Sequence, residues 1–175
     1  MALRYLLVFC IALQTSFHSS SVRLPLSNLH TVELPNSITD LKKCSFSECT
    51  SLKMITLPES LTNICDFDHS GIEKITIPSG VTEIRRFAFE ACNSLKSVVI
   101  KGPVAQIDDK AFIDCAALKT IEFPAGIKKI GKEAFKGCTA LKTINVPAKK
   151  ASYYKKLLPK KLHSLIVELP ADKKK

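Results

Sequence analysis

The stretch Leu118-Lys-Thr-Ile121-Glu-Phe123-Pro124 decides the fold, because near-copies of it run through most of the chain. The copies start at Leu29, Leu52, Ile72, Leu95, Leu118 and Leu141, with spacings of 23, 20, 23, 23 and 23 residues. A second pattern, a Phe with a Cys three residues later, follows at Phe46/Cys49, Phe89/Cys92, Phe112/Cys115 and Phe135/Cys138. A fixed period of this length predicts a repeat protein in which each copy forms one coil.

Each copy predicts a short strand that ends at a fixed point. In Ile75-Thr76-Ile77 the apolar residues alternate, so they share the inner face of a strand while Lys74 and Thr76 face outward. Proline cannot donate to a sheet ladder, and it should end five of the strands at the same height: Pro35, Pro58, Pro78, Pro124 and Pro147. The Leu95 copy has Lys101-Gly102-Pro103 there and is expected to bulge. Because one unit cannot bury its apolar edge alone, neighbouring units must stack.

The full pattern, Leu-x-x-Ile-x-Ile-Pro, then Val-x-x-Ile (Val81/Ile84), then Ala-Phe-x-x-Cys, resembles the BspA-like leucine-rich repeats over roughly residues 29–147. Cys stands where the commoner leucine-rich repeats carry a ladder of Asn. The resemblance implies a repeat solenoid, a curved right-handed array with a concave parallel β-sheet of about seven short strands and a small C-terminal helical and strand cap. It also implies a surface or secreted interaction module. The Leu52 unit departs from the pattern, because it is three residues short and Cys65-Asp66-Phe67-Asp68-His69-Ser70-Gly71 replaces Ala-Phe-x-x-Cys.

The chain divides into a signal peptide (1–21), a solenoid (22–147) and a basic C-terminal cap and tail (148–175). Arg4, nine apolar residues from Tyr5 to Leu13 and a serine-rich stretch are typical of a signal peptide. Nine apolar residues are too few for a membrane-spanning helix, which needs about 20. We therefore expect a secreted or cell-surface protein whose signal peptide is cleaved and whose contact with a membrane is at most peripheral.

The last segment predicts a cap over the open end of the array. Residues 149–158 have a helix-forming composition that places Tyr154, Leu157 and Leu158 on one face, and Pro159 should end this helix. Leu162-His-Ser-Leu165-Ile-Val167 then repeats the strand pattern and predicts a seventh strand that closes the sheet. Residues 173–175 are expected to form a frayed tail.

The cysteines predict a buried column. Cys49, Cys92, Cys115 and Cys138 share one repeat position and should stack about 4.8 Å apart, as strands do. Reduced thiols are favoured because parallel side chains would strain a disulfide, and at least one bridge is the alternative. The absence of a Cys-x-x-Cys motif argues against zinc. Asp66-Phe67-Asp68-His69 has metal-ligand residue types, but it offers too few oxygens for calcium and fits a polar turn, so no metal and no cofactor are expected.

A partner is expected on the outward positions of the concave sheet and at the strand starts, namely Lys53, Met54, Thr56, Lys74, Thr76, Lys96, Ser97, Val99, Lys119, Thr120, Glu122 and Thr143. The same positions could form a solvated face without a partner, since Thr suits strands. Catalysis is not expected, because His30, His69 and His163 fall on different coils and no nucleophile turn accompanies them. The leading hypothesis is a secreted or cell-surface protein-binding or adhesion module. Its partner would be an unknown protein, or a component of the extracellular matrix or a host surface.

The charge suggests an alternative function. Residues 148–175 hold nine Lys and two acidic residues, whereas residues 22–147 have a net charge of only +2. The cap could therefore bind anionic polymers or a membrane surface through Lys149, Lys150, Lys155, Lys156, Lys160 and Lys161, or these charges could only keep it soluble. A stacking platform would require a series of aromatic residues that alternates with the lysines, and the cap lacks such a series, so specific nucleic-acid binding is not expected. A structural element that assembles with its own copies is a third hypothesis, and the oligomeric state stays open.

Overall fold

The structure, a computed structural model, describes residues 30–41, 46–64 and 66–171. The predicted signal peptide, Leu29, Cys44, Cys65 and the tail at 173–175 lie outside these ranges. Within them the chain forms ten strands and two helices: β1 Thr31–Glu33, β2 Met54–Thr56, β3 Lys74–Ile77, β4 Glu83–Ile84, β5 Ser97–Ile100, β6 Gln106–Ile107, β7 Thr120–Glu122, β8 Lys129–Ile130, β9 Thr143–Val146, helix α1 Ala151–Leu157, a 3-10 helix Lys160–Leu165 and β10 Ile166–Glu168.

Seven of these strands form one parallel sheet, here called the large sheet, in the order β1-β2-β3-β5-β7-β9-β10. The repeat sets the register: Ile75 lies opposite Val98, and Val98 lies opposite Ile121, so each strand adds the same position of the next coil. The alternation is also as predicted, since β3 alternates between exposed and buried residues. The predicted solenoid with about seven parallel strands is confirmed.

The returning part of each coil forms a second sheet that the sequence analysis did not predict. This small sheet contains three parallel strands of two residues each, in the order β4-β6-β8. The Val-x-x-Ile pattern, which occurs as Val81/Ile84, Val104/Ile107 and Ile127/Ile130, accounts for this sheet. Ile84 and Ile107 are fully buried at its inner face, and Ile84 lies opposite Ile107. The pairs were recognised as core residues, but two-residue strands give no periodicity of their own.

A column of stacked Phe rings fills the core. Phe46, Phe67, Phe89, Phe112 and Phe135 follow one another with ring centroids 4.9–5.4 Å apart and nearly parallel planes. Phe67 corrects the interpretation of the short unit. It keeps the aromatic position, and Ser70 takes the Cys position three residues later, where its hydroxyl lies 3.5 Å from the Cys92 sulfur. The Leu52 unit therefore keeps the spacing of three residues between the aromatic position and the Cys position. Its three fewer residues shorten the segments on either side of Phe67 and Ser70.

The residue before each Cys of the column, or before Ser70 in the short unit, turns the chain with a left-handed backbone. Glu48, His69, Ala91, Asp114 and Gly137 all have φ between 51° and 79°. Only Gly137 is free of the steric cost that this conformation imposes on other residues, roughly 1–2 kcal/mol. In the short coil, Gly71 is required for space, because a Cβ atom there would lie 1.9 Å from the Thr50 carbonyl oxygen. Each coil thus accepts some strain to close at the same point.

The C-terminal cap covers the last complete coil, which starts at Leu118 and is here called the last coil. One part of the predicted cap was wrong. As predicted, the helix ends before Pro159, and Tyr154 is buried with its ring 5.3 Å from that of Phe123. The seventh strand, however, is β10, so Leu162 and Leu165 lie on the 3-10 helix, and only Ile166 and Val167 of the predicted segment lie in the strand. A three-residue spacing also matches a 3-10 turn, which explains the ambiguity. Val167 lies opposite Asn145 and is 49% exposed, whereas the prediction placed it inward.

Candidate binding surface on the large sheet

The large sheet lines up the outward side chains of successive coils in two rows. Strand register places Thr31, Met54, Lys74, Ser97, Thr120 and Thr143 in the first row. The second row runs through Thr76, Val99, Glu122, Asn145 and Val167, and Glu33 lies opposite Thr56 on the first two strands. Nine of the twelve residues predicted for the concave site therefore share this face. Val167 is an addition that the sequence analysis missed.

The remaining predicted residues, Lys53, Lys96 and Lys119, lie just before the strands. Backbone hydrogen bonds connect successive coils at these positions. The amide of Lys96 donates to the Glu73 carbonyl at 2.7 Å, and the amide of Lys119 donates to the Lys96 carbonyl at 2.9 Å. Glu73 interrupts the lysine row, and its carboxylate accepts a hydrogen bond from the Lys96 ammonium at 2.6 Å. This bond lowers the pKa of Glu73, helped by the charges of Lys96, Lys53 and Lys74. The row is thus a mixed-charge edge, which a search for repeated lysines could not show.

The face is unevenly exposed. The outward residues of β1, β2 and β3 are exposed, whereas those of β5, β7 and β9 are half-buried. Met54 is 59% exposed, and the other large exposed apolar side chain on the described part of this sheet is Val167, on the last strand. Methionine is flexible and polarisable and suits contacts with variable shapes. The most accessible part of the surface is therefore the area around Met54, Thr56 and Lys74.

Asp68, His69 and His163, whose residue types suit metal binding or catalysis, lie outside the strands of the large sheet, whereas His30 lies at the strand starts next to Lys53. Asp68 accepts a hydrogen bond from the Ser47 hydroxyl and lies 3.5 Å from the His69 ring. His163 forms a hydrogen bond with the Leu158 carbonyl at 3.0 Å, and His30 precedes β1. Among the described residues, no three His, Cys, Asp or Glu side chains come together as metal ligands would.

The cysteines form a hydrogen-bonded column inside the solenoid. The thiols of Cys92, Cys115 and Cys138 donate to the carbonyls of Phe67, Phe89 and Phe112 at 3.0, 2.9 and 3.1 Å. These thiols and that of Cys49 are free. Burial raises the pKa of Cys49, and the neighbouring thiols together with burial raise the pKa of Cys115. A hydrogen bond with Cys115, helped by Ser70, lowers the pKa of Cys92. Cys49, Cys92 and Cys115 are buried and Cys138 is partly buried, so the column packs inside the coils and links each coil to the one before it.

Stacked coils with a continuous parallel sheet and short return segments define the protein as a leucine-rich-repeat solenoid. The family model for the BspA type leucine rich repeat region, in six copies, matches residues 24–142 and 65–165. The chain therefore belongs to the BspA-type leucine-rich-repeat family. No curated protein matches the chain.

One solved structure agrees with this assignment. A leucine rich cell surface protein from Faecalibacterium prausnitzii superposes with a TM-score of 0.66 and 29% identity, covering 73% of this chain. The chain spans 34% of that protein's length, about a third. A leucine-rich repeat protein from Bacteroides ovatus is similar with a TM-score of 0.31 and 20% identity, over 82% of this chain and 55% of that protein. Within the described ranges, none of the helices has the length and apolar character needed to cross a membrane.

Proposed function

We propose that this chain is a secreted or cell-surface binding module that contacts a protein partner through the outward face of the large sheet and catalyses no reaction. The observation that carries the proposal is the in-register alignment of outward side chains over seven parallel strands. A repeat array of this kind offers a broad, rigid surface whose side chains need little ordering when a partner binds. The partner class that we propose is an extracellular-matrix or host-surface protein.

The proposed contact is centred on Met54. An exposed apolar side chain surrounded by polar residues is the usual composition of an interface centre, and Thr56, Lys53 and Lys74 provide the polar rim here. Lys53 and Lys74 carry positive charge beside Met54. The nearby Glu73 carboxylate already forms an ion pair with Lys96, and no ion pair of the described residues involves Lys53 or Lys74. We therefore expect the partner to supply an apolar pocket for Met54, flanked by carboxylates that bind these two lysines.

The location rests on two independent points. The predicted signal peptide would direct the chain out of the cytoplasm, and the similar protein from Faecalibacterium prausnitzii is described as a leucine rich cell surface protein. Both support a position where the sheet can meet extracellular proteins.

Oxidation of Met54 gives a direct test. The chain has two methionines, Met1 and Met54, so mild peroxide treatment followed by peptide mass spectrometry reports on this one side chain of the sheet. A protein is first captured from a matrix extract on the immobilised chain and then purified. Its addition should slow the oxidation of Met54 in proportion to occupancy. Equal rates with and without a saturating partner would contradict the proposed surface.

A pair of matched variants locates the contact independently. Thr56→Glu with Thr76→Glu places two carboxylates on the outward face and should weaken binding at least tenfold through desolvation and charge repulsion, by roughly 1.4 kcal/mol or more. Thr62→Glu with Thr82→Glu is the control, since both of these residues are exposed, occupy corresponding positions of the same two coils and lie outside the large sheet. Thermal melts establish that both variants fold. Equal loss of affinity in the two variants would refute a contact through the large sheet.

A further inference from the structure

The positive charge of the chain is concentrated in one continuous stretch. Residues 128–161 contain eleven Lys and a single acidic residue, Glu133, so this stretch alone carries the +10 formal charge of the whole chain. Residues 22–127 contain eleven basic and thirteen acidic residues. The basic stretch therefore begins before the cap, in the last coil of the solenoid, and the rest of the molecule is slightly acidic.

The fold brings the two parts of this stretch together. Lys129 lies on β8, the last strand of the small sheet, and Lys128 follows Ile127, whose carbonyl accepts a hydrogen bond from the Tyr153 hydroxyl at 2.8 Å. Through this hydrogen bond Tyr153 joins α1 to the coil that contains Lys128, and the Lys150 ammonium lies 5.8 Å from the centre of the Tyr153 ring. We call the combined surface the basic end. It comprises Lys128, Lys129 and Lys132 with the six cap residues Lys149, Lys150, Lys155, Lys156, Lys160 and Lys161, all of them exposed.

The carboxylates near the basic end already bind other groups. Asp108 and Asp109 lie beside Lys129 and Lys132, and they accept hydrogen bonds from the Gln106 side chain and from the Glu133 amide. Glu133 binds Lys110 and Lys136 at 3.7 and 3.1 Å. Glu168 accepts a hydrogen bond from the amide of Ala151 at 2.8 Å, and hydrogen bonds from this and neighbouring amides lower its pKa, with a smaller contribution from the charge of Lys155. Among the described residues, no carboxylate forms an ion pair with any of the nine lysines of the basic end. In the rest of the solenoid, here called the body, Lys96 pairs with Glu73 and Lys101 pairs with Glu59. The nine cations thus repel one another, and a polyanion that binds them would relieve this repulsion and release its counterions.

We propose that the basic end is a binding site for a linear anionic polysaccharide that carries sulfate or carboxylate groups. A flexible chain with regularly spaced charges can follow cations that lie on β8, α1 and the 3-10 helix. The charges are all lysines, whose compact ammonium groups interact as point charges and do not need the planar, bidentate geometry of arginine.

Two other classes of polyanion fit less well. Membrane-surface helices insert an apolar face, but the apolar residues Tyr154 and Leu158 of the cap are buried against the solenoid. Single-stranded nucleic acids require several exposed rings on which bases stack, and Tyr153 is the exposed aromatic side chain of the described cap.

The experiment uses the mature full chain and immobilised heparin as the sulfated polysaccharide, with neutral dextran as a blank. Two charge-removing variants are compared: Lys128→Gln with Lys129→Gln, which tests the part in the last coil, and Lys155→Gln with Lys156→Gln, which tests the cap. Arg85→Gln with Lys101→Gln is the matched control, because it removes the same formal charge from exposed residues of the body. Thermal melts verify that each variant remains folded.

We expect heparin binding that weakens steeply as the salt concentration rises, and a loss of affinity of roughly 20- to 30-fold in each basic-end variant, on the basis of a fivefold effect per lysine. The control should lose less than threefold. Absence of binding at low salt, or an equal loss in the control, would overturn the proposal. Tighter binding to phosphatidylserine vesicles or to single-stranded DNA than to heparin would overturn it as well, in favour of the corresponding class.

Discussion

Truncation of Phe112 tests whether the stacked aromatic column holds the coils together. Phe112 is fully buried, and its ring lies 4.9 Å from Phe89 and 5.4 Å from Phe135 with almost parallel planes. Phe112→Ala removes the burial of a large side chain, at about 3–5 kcal/mol. It also removes two ring pairs, each of which contributes roughly 0.5–1.5 kcal/mol beyond burial. Because the rings above and below are fixed by their own coils and cannot collapse into the cavity, we expect a loss near 5 kcal/mol.

Reversible urea unfolding followed by circular dichroism measures this loss as the shift of the midpoint at constant slope. Phe87→Ala is the matched control. The same truncation at Phe87 removes a ring that is 36% exposed and that lies 4.7 Å from the Arg86 guanidinium, so this variant should lose about 1–2 kcal/mol, clearly less than Phe112→Ala. A loss below 1 kcal/mol for Phe112→Ala, or equal losses for the two variants, would refute the stacked column as the main support of the fold.

Four further outcomes are expected. Denatured, non-reduced protein that lacks residues 1–21 should titrate with about six thiols, because the cysteines of the column are free, and four or fewer would reveal a disulfide. Deletion of residues 148–175 should produce dimers or aggregates in light scattering, since Tyr154 no longer covers Phe123, whereas deletion of 173–175 should change nothing, and a monomeric truncated chain would exclude a capping role. Burial raises the pKa of Tyr154 to about 12, so stability that is complete below pH 10 should fall by about 2–3 kcal/mol as the pH rises through 12, and Tyr154→Phe should lack this fall in alkaline melts. Ala91→Gly should stabilise the protein by about 0.5–1 kcal/mol, because the left-handed φ of 51° suits Gly, and a lower melting temperature would contradict this reason.

Much of the architecture could be predicted because the same sequence pattern occurs in successive coils, so each copy supports the structure inferred from the others. The alternation of Ile75 and Ile77 identified the inner face, and the helix before Pro159 followed from local composition. The prediction was wrong where one residue spacing fits two structures. Leu162 and Leu165 suit a strand of the repeat and also a 3-10 turn, and only the contact with the last coil selects between them.

The positions of the candidate surface could be predicted from the sequence, but the ion pairs and the exposure of its side chains could not. Strand alternation identified Met54 and Lys74 as outward residues, because neighbouring residues in a strand point to opposite sides. It could not show that Glu73 binds Lys96, because these residues are 23 positions apart and meet only when the coils stack. Nor could it show that the outward residues of β5, β7 and β9 are half-buried while those of β1, β2 and β3 are exposed.

The sequence by itself determined the period, the inner and outer positions of the large-sheet strands β1 to β9 and the concentration of charge at the C-terminal end, since these properties depend on local residue order. Tertiary structure decided which coils contact which. It placed Phe67 in the aromatic column despite a shortened unit, joined Lys128 and Lys129 to the cap through Tyr153, and created the small sheet from pairs of residues too short to form strands alone. The physical reason is that an isolated coil buries almost nothing, so the positions of its side chains become fixed only when the neighbouring coils supply the other half of every contact.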